Sequence, residues 1–232
     1  MQKNKEMDKQ KLEAKALLID LDGTIVDSLE AFAEAAETAL CAIGCKQNSD
    51  DVGWEIARLL QRNLSLNEFF DKNNLDKALR EKFLTLFLQS FYKIAPSKTK
   101  LFPNVNKTLH MLSRNFQLAL ITRRRAPKKL VNKELERLRL NSYFTTIVTS
   151  LEVERSTPFP DAILKAADEL QVSVHNCIVV SDSGVDIRAG KSAGAKTVAV
   201  LSGLFKKEEL KKEMPDLIIK DITCLPEHLL AT

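Results

Sequence analysis

Two aspartates one residue apart, Asp20 and Asp22, stand directly after the apolar run Ala16-Leu17-Leu18-Ile19 and directly before Gly23-Thr24. Carboxylates held that close repel, so either one keeps its proton or a cation is shared between them. A few hard oxygen donors on a loop, with room for a phosphate oxygen, suit Mg²⁺. An Asp is already ionised at neutral pH and, unlike Ser, needs no base before it attacks phosphorus. The pair therefore reads as a nucleophile, Asp20, and an acid/base, Asp22, that protonates the leaving oxygen and then deprotonates water. Gly23 lets the chain turn tightly beside a ligand. An isolated Asp-Leu-Asp-Gly is equally a surface turn, so the surrounding elements carry the decision.

The run before Asp20 suits a parallel strand buried on both faces, and open α/β sheets bind ligands beyond the carboxyl ends of such strands. Ser28 is expected to cap a helix on Leu29, Phe32, Ala33, Ala36, Leu40 and Ile43 that stops before Gly44. A second helix is expected over 51–62. The spacing of Leu75, Leu79, Phe83, Leu86, Phe87, Phe91 and Ile94 predicts one long amphipathic helix ended by Pro96. Strand and helix alternate from Leu101 onward: helix to about Arg114, strand 116–122, helix 127–140, strand 143–150, helix 162–170, strand 177–180, then strands 196–201 and 217–220 around a helix over 206–213. The predicted architecture is an α/β, doubly wound parallel-sheet (Rossmann-like) core formed by 1–26 and 99–232, with 27–98 inserted as a helical cap.

The chain has 232 residues, enough for such a core and a smaller insertion, and 35 basic against 31 acidic side chains leave a net charge of +4. That excess is too small and scattered to indicate nucleic acid, and the Lys206-Lys207 and Lys211-Lys212 pairs read as a solvated helix face. No stretch is long and apolar enough to span a membrane, and Met1 to Lys15 is charged rather than signal-like, so a cytoplasmic protein is expected. Cys41, Cys45, Cys177 and Cys224 lack zinc or Cys-x-x-Cys spacing and read as free thiols. His110, His175 and His228 are isolated. Nothing in the pattern specifies an oligomeric state.

The segment Leu18-Ile19-Asp20-Leu21-Asp22-Gly23-Thr24-Ile25-Val26-Asp27-Ser28 resembles the first motif of the haloacid-dehalogenase superfamily, and its Asp-Ser ending resembles the phosphoglycolate-phosphatase and phosphoglucomutase-type branch. The resemblance implies an Asp nucleophile, an Asp acid/base, Mg²⁺, a small phosphorylated metabolite as substrate, and a helical cap that closes over the site. Thr122, ending the strand Leu118-Ala119-Leu120-Ile121, is similar to the second motif; its hydroxyl and the Arg123 amide are the expected phosphate contacts. Arg123-Arg124-Arg125 follows where the family often has Asn or Ser, and reads either as a grip on phosphate or another acidic group or as a solvated loop.

Pro158, Pro160 and Asp161 resemble the third motif, but Thr157 stands where its lysine belongs. Arg155, Arg123 and Arg124 are the candidates for a relocated positive charge. Ser181-Asp182-Ser183-Gly184-Val185-Asp186, then Ala189-Gly190, resembles the fourth motif. It implies that Asp182 completes the metal ligands with Asp20 and the Asp22 carbonyl, while Asp186 orients metal-bound water. Pro103-Asn104-Val105 departs slightly from the family's Pro-Gly-Val. The expected activity is Mg²⁺-dependent hydrolysis of a small phosphomonoester through an aspartyl-phosphate. Thr157 keeps open a weakened member that binds a phosphorylated ligand or a protein, and a sugar phosphomutase is a further alternative.

Overall fold

The chain enters β1 (Leu12–Ala14) and β2 (Ala16–Asp20), turns through Gly23 into β3 (Val26–Asp27), and then forms α1 (Leu29–Ala42), α2 (Val52–Gln61), α3 (Asn67–Lys72) and α4 (Lys77–Lys98). It returns through β4 (Lys100–Leu101) and α5 (Val105–Ser113) to β5 (Gln117–Thr122), α6 (Lys128–Arg137), β6 (Thr146–Thr149) and α7 (Asp161–Glu169). The last third is β7 (Cys177–Ser181), α8 (Gly184–Ala193), β8 (Lys196–Val200), α9 (Lys207–Lys212), β9 (Leu217–Ile219) and β10 (Leu229–Ala231). These elements come from a computed structural model that describes residues 11–45 and 51–231.

Six strands form one parallel sheet in the order β6-β5-β2-β7-β8-β9. Every residue of β2 and of β7 is buried, as unbroken apolar runs require when both sheet faces are covered. The period of two then sorts the side chains. Leu17, Ile19, Leu120, Ile178 and Val180 pack with Leu109 and Leu112 of α5 and Val131 and Leu135 of α6. Leu18, Ala119 and Val179 pack with Ile163 and Ala166 of α7 and Ala189 of α8 on the opposite face. From β2 the chain builds outward to β5 and β6, then crosses back to β7 on β2's other side. That reversal opens a crevice at the carboxyl ends of β2 and β7, where α/β sheets place their ligands.

Helices α1–α4 bury a cluster of their own. Ala31, Ala35, Ala36 and Ala39 let α1 lie close against α2 and α4, while Phe83, Phe87 and Phe91 run as a ladder along α4. Phe83–Phe87 and Phe87–Phe91 stack at 6.1 and 6.3 Å between centroids, and Phe32 of α1 reaches Phe91 at 4.6 Å. The entry and exit of the insertion are tied by the antiparallel pair β3–β4, Val26 opposite Leu101 and Asp27 opposite Lys100.

Several expectations are corrected. Pro96 does not end α4, which runs on to Lys98; proline lacks an N–H, and in a last turn this forfeits one ladder bond while Thr99 still donates to the Ala95 carbonyl. The separate short helix α3 precedes α4. The strand expected from 143 begins at Thr146, after a 3₁₀ turn over Asn141–Tyr143. The helix expected to reach 140 stops at Arg137, because Arg139 turns left-handed at φ +58°. Asn104, also left-handed at φ +63°, adopts a conformation that favours the family's glycine and that Asn tolerates. Most of the charged start, Met1–Lys15, lies outside the described residues, but Leu12–Ala14 pairs with β10. No described helix is long and apolar enough to cross a membrane.

Candidate active site

Asp20 is the last residue of β2 and Asp182 follows β7, so two neighbouring strands deliver two buried carboxylates to the same crevice. The Thr24 hydroxyl lies between them, 3.4 Å from Asp20 Oδ2 and 3.5 Å from Asp182 Oδ1, and accepts the Asp182 N–H at 3.1 Å. Two glycines make room for Asp182. A Cβ on Gly23, which turns at φ +81°, would stand 2.5 Å from Asp182 Oδ2, and one on Gly203 only 1.7 Å. Ser202 fixes this turn by donating to the Gly23 carbonyl at 2.7 Å.

Asp186, in the first turn of α8, accepts from the Ser181 hydroxyl at 2.9 Å, and Arg123 Nε lies 3.7 Å from its Oδ2. Asp20, Thr122, Arg123, Thr157 and Asp186 line one small cavity. Thr122 is buried there and its hydroxyl accepts the Arg124 N–H at 3.2 Å. Burial, reinforced by Asp186 and Asp182, holds Asp20 well above the usual carboxylate range. Burial likewise pushes Asp182 up to about 7. Burial works against the charge on Arg123, yet Asp186, Asp20, Asp182 and Asp22 together keep it more firmly protonated than usual.

Asp22 lines a second, larger cavity together with Asp20. Arg124 grips Asp22 through Nε to Oδ2 and a terminal nitrogen to Oδ1, both at 2.7 Å, and also pairs with Glu134 of α6. The buried guanidinium lies 4.8 Å above the Phe91 ring. Ser28, expected as the α1 cap, gives its proton instead to Asp22 Oδ1, and Asp27 accepts the Leu29 N–H. Gln61, at the end of α2, donates to the Ser28 hydroxyl at 3.1 Å, and its carbonyl accepts from Arg123 at 2.9 Å. Glu134, Ser28 and Gln61 were absent from the sequence-based set, since only the tertiary fold brings them to the aspartates.

The triple-arginine run thus divides into three roles. Arg123 faces Asp20 and Asp186, Arg124 is locked to Asp22 and Glu134, and Arg125 is exposed and forms no ion pair among the described residues. Arg155 is committed to Asp161 at 2.9 Å and lies 4.8 Å above the Phe159 ring, so it does not fill the lysine position. Thr157 occupies that position with a buried hydroxyl that has no hydrogen-bond partner among the described residues.

Residues 17–200 match the family model described as haloacid dehalogenase-like hydrolase. The chain belongs to this family. A phosphoglycolate phosphatase from Vibrio cholerae is 31% identical over 228 residues, covering 94% of this chain and 98% of its own length. Another from Aquifex aeolicus is 30% identical over 211 residues, covering 88% and 92%. The solved structure of a haloacid dehalogenase-like family hydrolase from Streptococcus pneumoniae shares the fold, with a TM-score of 0.78 over 92% of this chain and 97% of that one at 20% identity.

Whether this hydrolase's residues suit a divalent cation follows from its charges. Asp20, Asp22, Asp182, Asp186 and Glu134 converge around Arg123 and Arg124, five acidic side chains against two paired cations. Burial, reinforced by neighbouring carboxylates, disfavours the charged forms of Asp20 and Asp182, and a cation shared between them would favour those forms again. Among the described residues no three acidic, histidine or cysteine side chains stand ready to ligate one ion by themselves. The expected set needs only two carboxylates, Asp20 and Asp182, with the Asp22 carbonyl and water, which is the few-donor, hydrated arrangement that Mg²⁺ favours.

Proposed function

We propose that this haloacid dehalogenase-like hydrolase is a Mg²⁺-dependent phosphatase that transfers the phosphoryl group of a small phosphomonoester to Asp20 and then to water. The observation that carries this reading is the buried Asp20 carboxylate sharing one cavity with Thr122 and Arg123. Asp20, Asp182 and the Asp22 carbonyl would hold Mg²⁺, which when bound neutralises phosphate and nucleophile together and orients them in line. Thr122 and the Arg123 amide bind phosphate oxygens, and the Arg123 guanidinium supplies from β5 the positive charge that Thr157 lacks.

The Asp20 oxygen forms its bond to phosphorus as the ester oxygen leaves. Asp22 passes the proton at Oδ2. Its Oδ1 already accepts from both Ser28 and Arg124, whereas Oδ2 accepts from Arg124 alone and keeps a lone pair. Water activated at that same oxygen then releases inorganic phosphate and restores Asp20. Asp186, fixed by Ser181, holds Arg123 toward the cavity. The helices of 27–98 act as the cap, with Gln61 linking them to Arg123 and Ser28. Cys41, Cys177 and Cys224 are free thiols, as a reducing cytoplasm would leave them.

Phosphate release from an aryl phosphate, measured with Mg²⁺ and with chelator beside an Asp20→Asn control, tests this. Mg²⁺-dependent release well above the control is expected. Thr157 favours the second reading, a binding protein without turnover, and equal background rates from both proteins would establish it. A sugar bisphosphate retained without net phosphate release would indicate a mutase instead.

A further inference from the structure

Above Asp20 lies a second, larger cavity of about 270 Å³, floored by Asp20 and Arg123. Its apolar wall is Phe32 of α1, Leu60 of α2 and Leu84, Phe87, Phe91 and Tyr92 of α4. Asp22, Gln61, Asn63, Arg124 and Arg125 form the polar side. α2 is already seated on the core: Gln61 bonds to Ser28 and Arg123, and Arg62 pairs with Glu209 while lying 5.0 Å from the Phe205 ring. The room is therefore present with the roof in contact.

A two-carbon acid esterified to phosphate would fill little of this space and would set its carboxylate among aromatic walls. The further cations of the lining offer that carboxylate little, since Arg124 is already paired with Asp22 and Glu134 and Arg125 is solvent-exposed, where an ion pair is screened. The unfilled remainder would leave the apolar faces of Phe32, Phe87 and Phe91 against water rather than against substrate. An aromatic ring would instead meet the faces and edges of Phe32, Phe87 and Phe91.

Resting on the phosphatase reading above, we propose that the leaving group of the preferred substrate is an alcohol with a broad aromatic body, seated between α1, α2 and α4. The chemistry is unchanged: an Asp20 oxygen–phosphorus bond forms, the ester oxygen–phosphorus bond breaks, the ester oxygen departs with one proton as the alcohol, and water returns Asp20 and inorganic phosphate. Cavity fit decides which alcohol is admitted.

The test compares naphthylmethyl phosphate with phosphoglycolate, since both release a primary alkoxide. A kcat/KM ratio of about 10 or more in favour of the aromatic ester is expected, given the 10–200-fold that even one methylene earns in a fitted apolar pocket. Leu84 is 43% exposed, so Leu84→Glu keeps the fold while placing a charge on the wall; the ratio should fall by about 10-fold. A wild-type ratio at or below one, or a ratio unmoved by Leu84→Glu, overturns the proposal. Calorimetry on the Asp20→Asn protein separates this from the phosphatase reading: naphthylmethylphosphonate should bind at least about 10-fold tighter than phosphonoacetate. Equal binding overturns the aromatic pocket even where turnover is intact, whereas tight aromatic binding without any turnover upholds the pocket and removes the phosphatase.

Discussion

At the carboxyl edge of β2 and β7 the side chains around Asp20 are charged or hydroxylic, and Asp182, Asp186, Thr24 and Thr122 are all buried. Facing them, α1, α2 and α4 present Phe32, Leu60, Phe87 and Phe91. The edge is positioned by parallel strand pairing, which fixes Asp20 and Asp182 to the register of two adjacent strands. The roof is positioned by its own ring ladder and is tied to the edge at a few points, chiefly Gln61, Arg62 and β3–β4. In the proposed reaction, the residues that make and break bonds would thus stand at the sheet edge, and those that meet the rest of the substrate on a separately packed layer.

This division implies that damage to each side has a distinct signature. Asp20→Asn should lower turnover by about 10⁴-fold or more, because it removes the oxygen proposed to bond to phosphorus, while raising the metal-free melting temperature, since it removes a carboxylate whose charge burial, Asp186 and Asp182 all disfavour. Phe83 is fully buried between Phe70 and Phe87, so Phe83→Ala should cost about 3–5 kcal/mol in urea unfolding. Its folded fraction should retain turnover within about an order of magnitude of the parent. A loss as deep as that of Asp20→Asn would erase the distinction between edge and roof.

Arg123→Met should reduce kcat by about 10²–10³-fold, the usual cost of one preorganised electrostatic group. Thr157→Lys should restore part of that activity in the Arg123→Met background. Alone, it should leave turnover unchanged or lower, since Arg123 would already supply the charge. A clear gain from Thr157→Lys alone would show that Arg123 does not replace the missing lysine.

The smallest effect expected is the coupling of pH to metal. Asp20 and Asp182 have folded-state pKa values raised above their unfolded ones, Asp182 to about 7, so the native state holds extra protons between the ordinary carboxylate value and that point. Stability from these groups is present at acid pH and is lost as pH rises through this window in chelated protein. Mg²⁺ competes with those protons, so it should raise the melting temperature more at about pH 7.5 than at about pH 5. Equal shifts at both would place the ion elsewhere.

Much of the sheet was legible because Leu17-Leu18-Ile19 and Ile178-Val179-Val180 are unbroken apolar runs ended by Asp20 and by Ser181-Asp182, a pattern written in consecutive residues. The amphipathic period likewise exposed α1 and α4. β3–β4 and β1–β10 were not legible, because strands of two or three residues carry no period and exist only through partners far along the chain. The same holds for the site. Asp20, Thr122, Asp182 and Asp186 announce themselves at strand and helix ends, but the Arg124 fork joins residues 102 positions apart. Nor could sequence distinguish Arg123 from Arg155 as the relocated charge. That choice depends on Asp161 occupying Arg155 and on the side of the cavity from which β5 arrives.

The most direct test is to quench a turning-over reaction in acid within milliseconds and locate the covalent phosphoryl group by peptide mass spectrometry. The account predicts a hydroxylamine-sensitive acyl phosphate on the peptide carrying Asp20, located at Asp20 itself. Turnover with the label on Asp22, on a serine or threonine, or on no residue at all under conditions that trap acyl phosphates would contradict it.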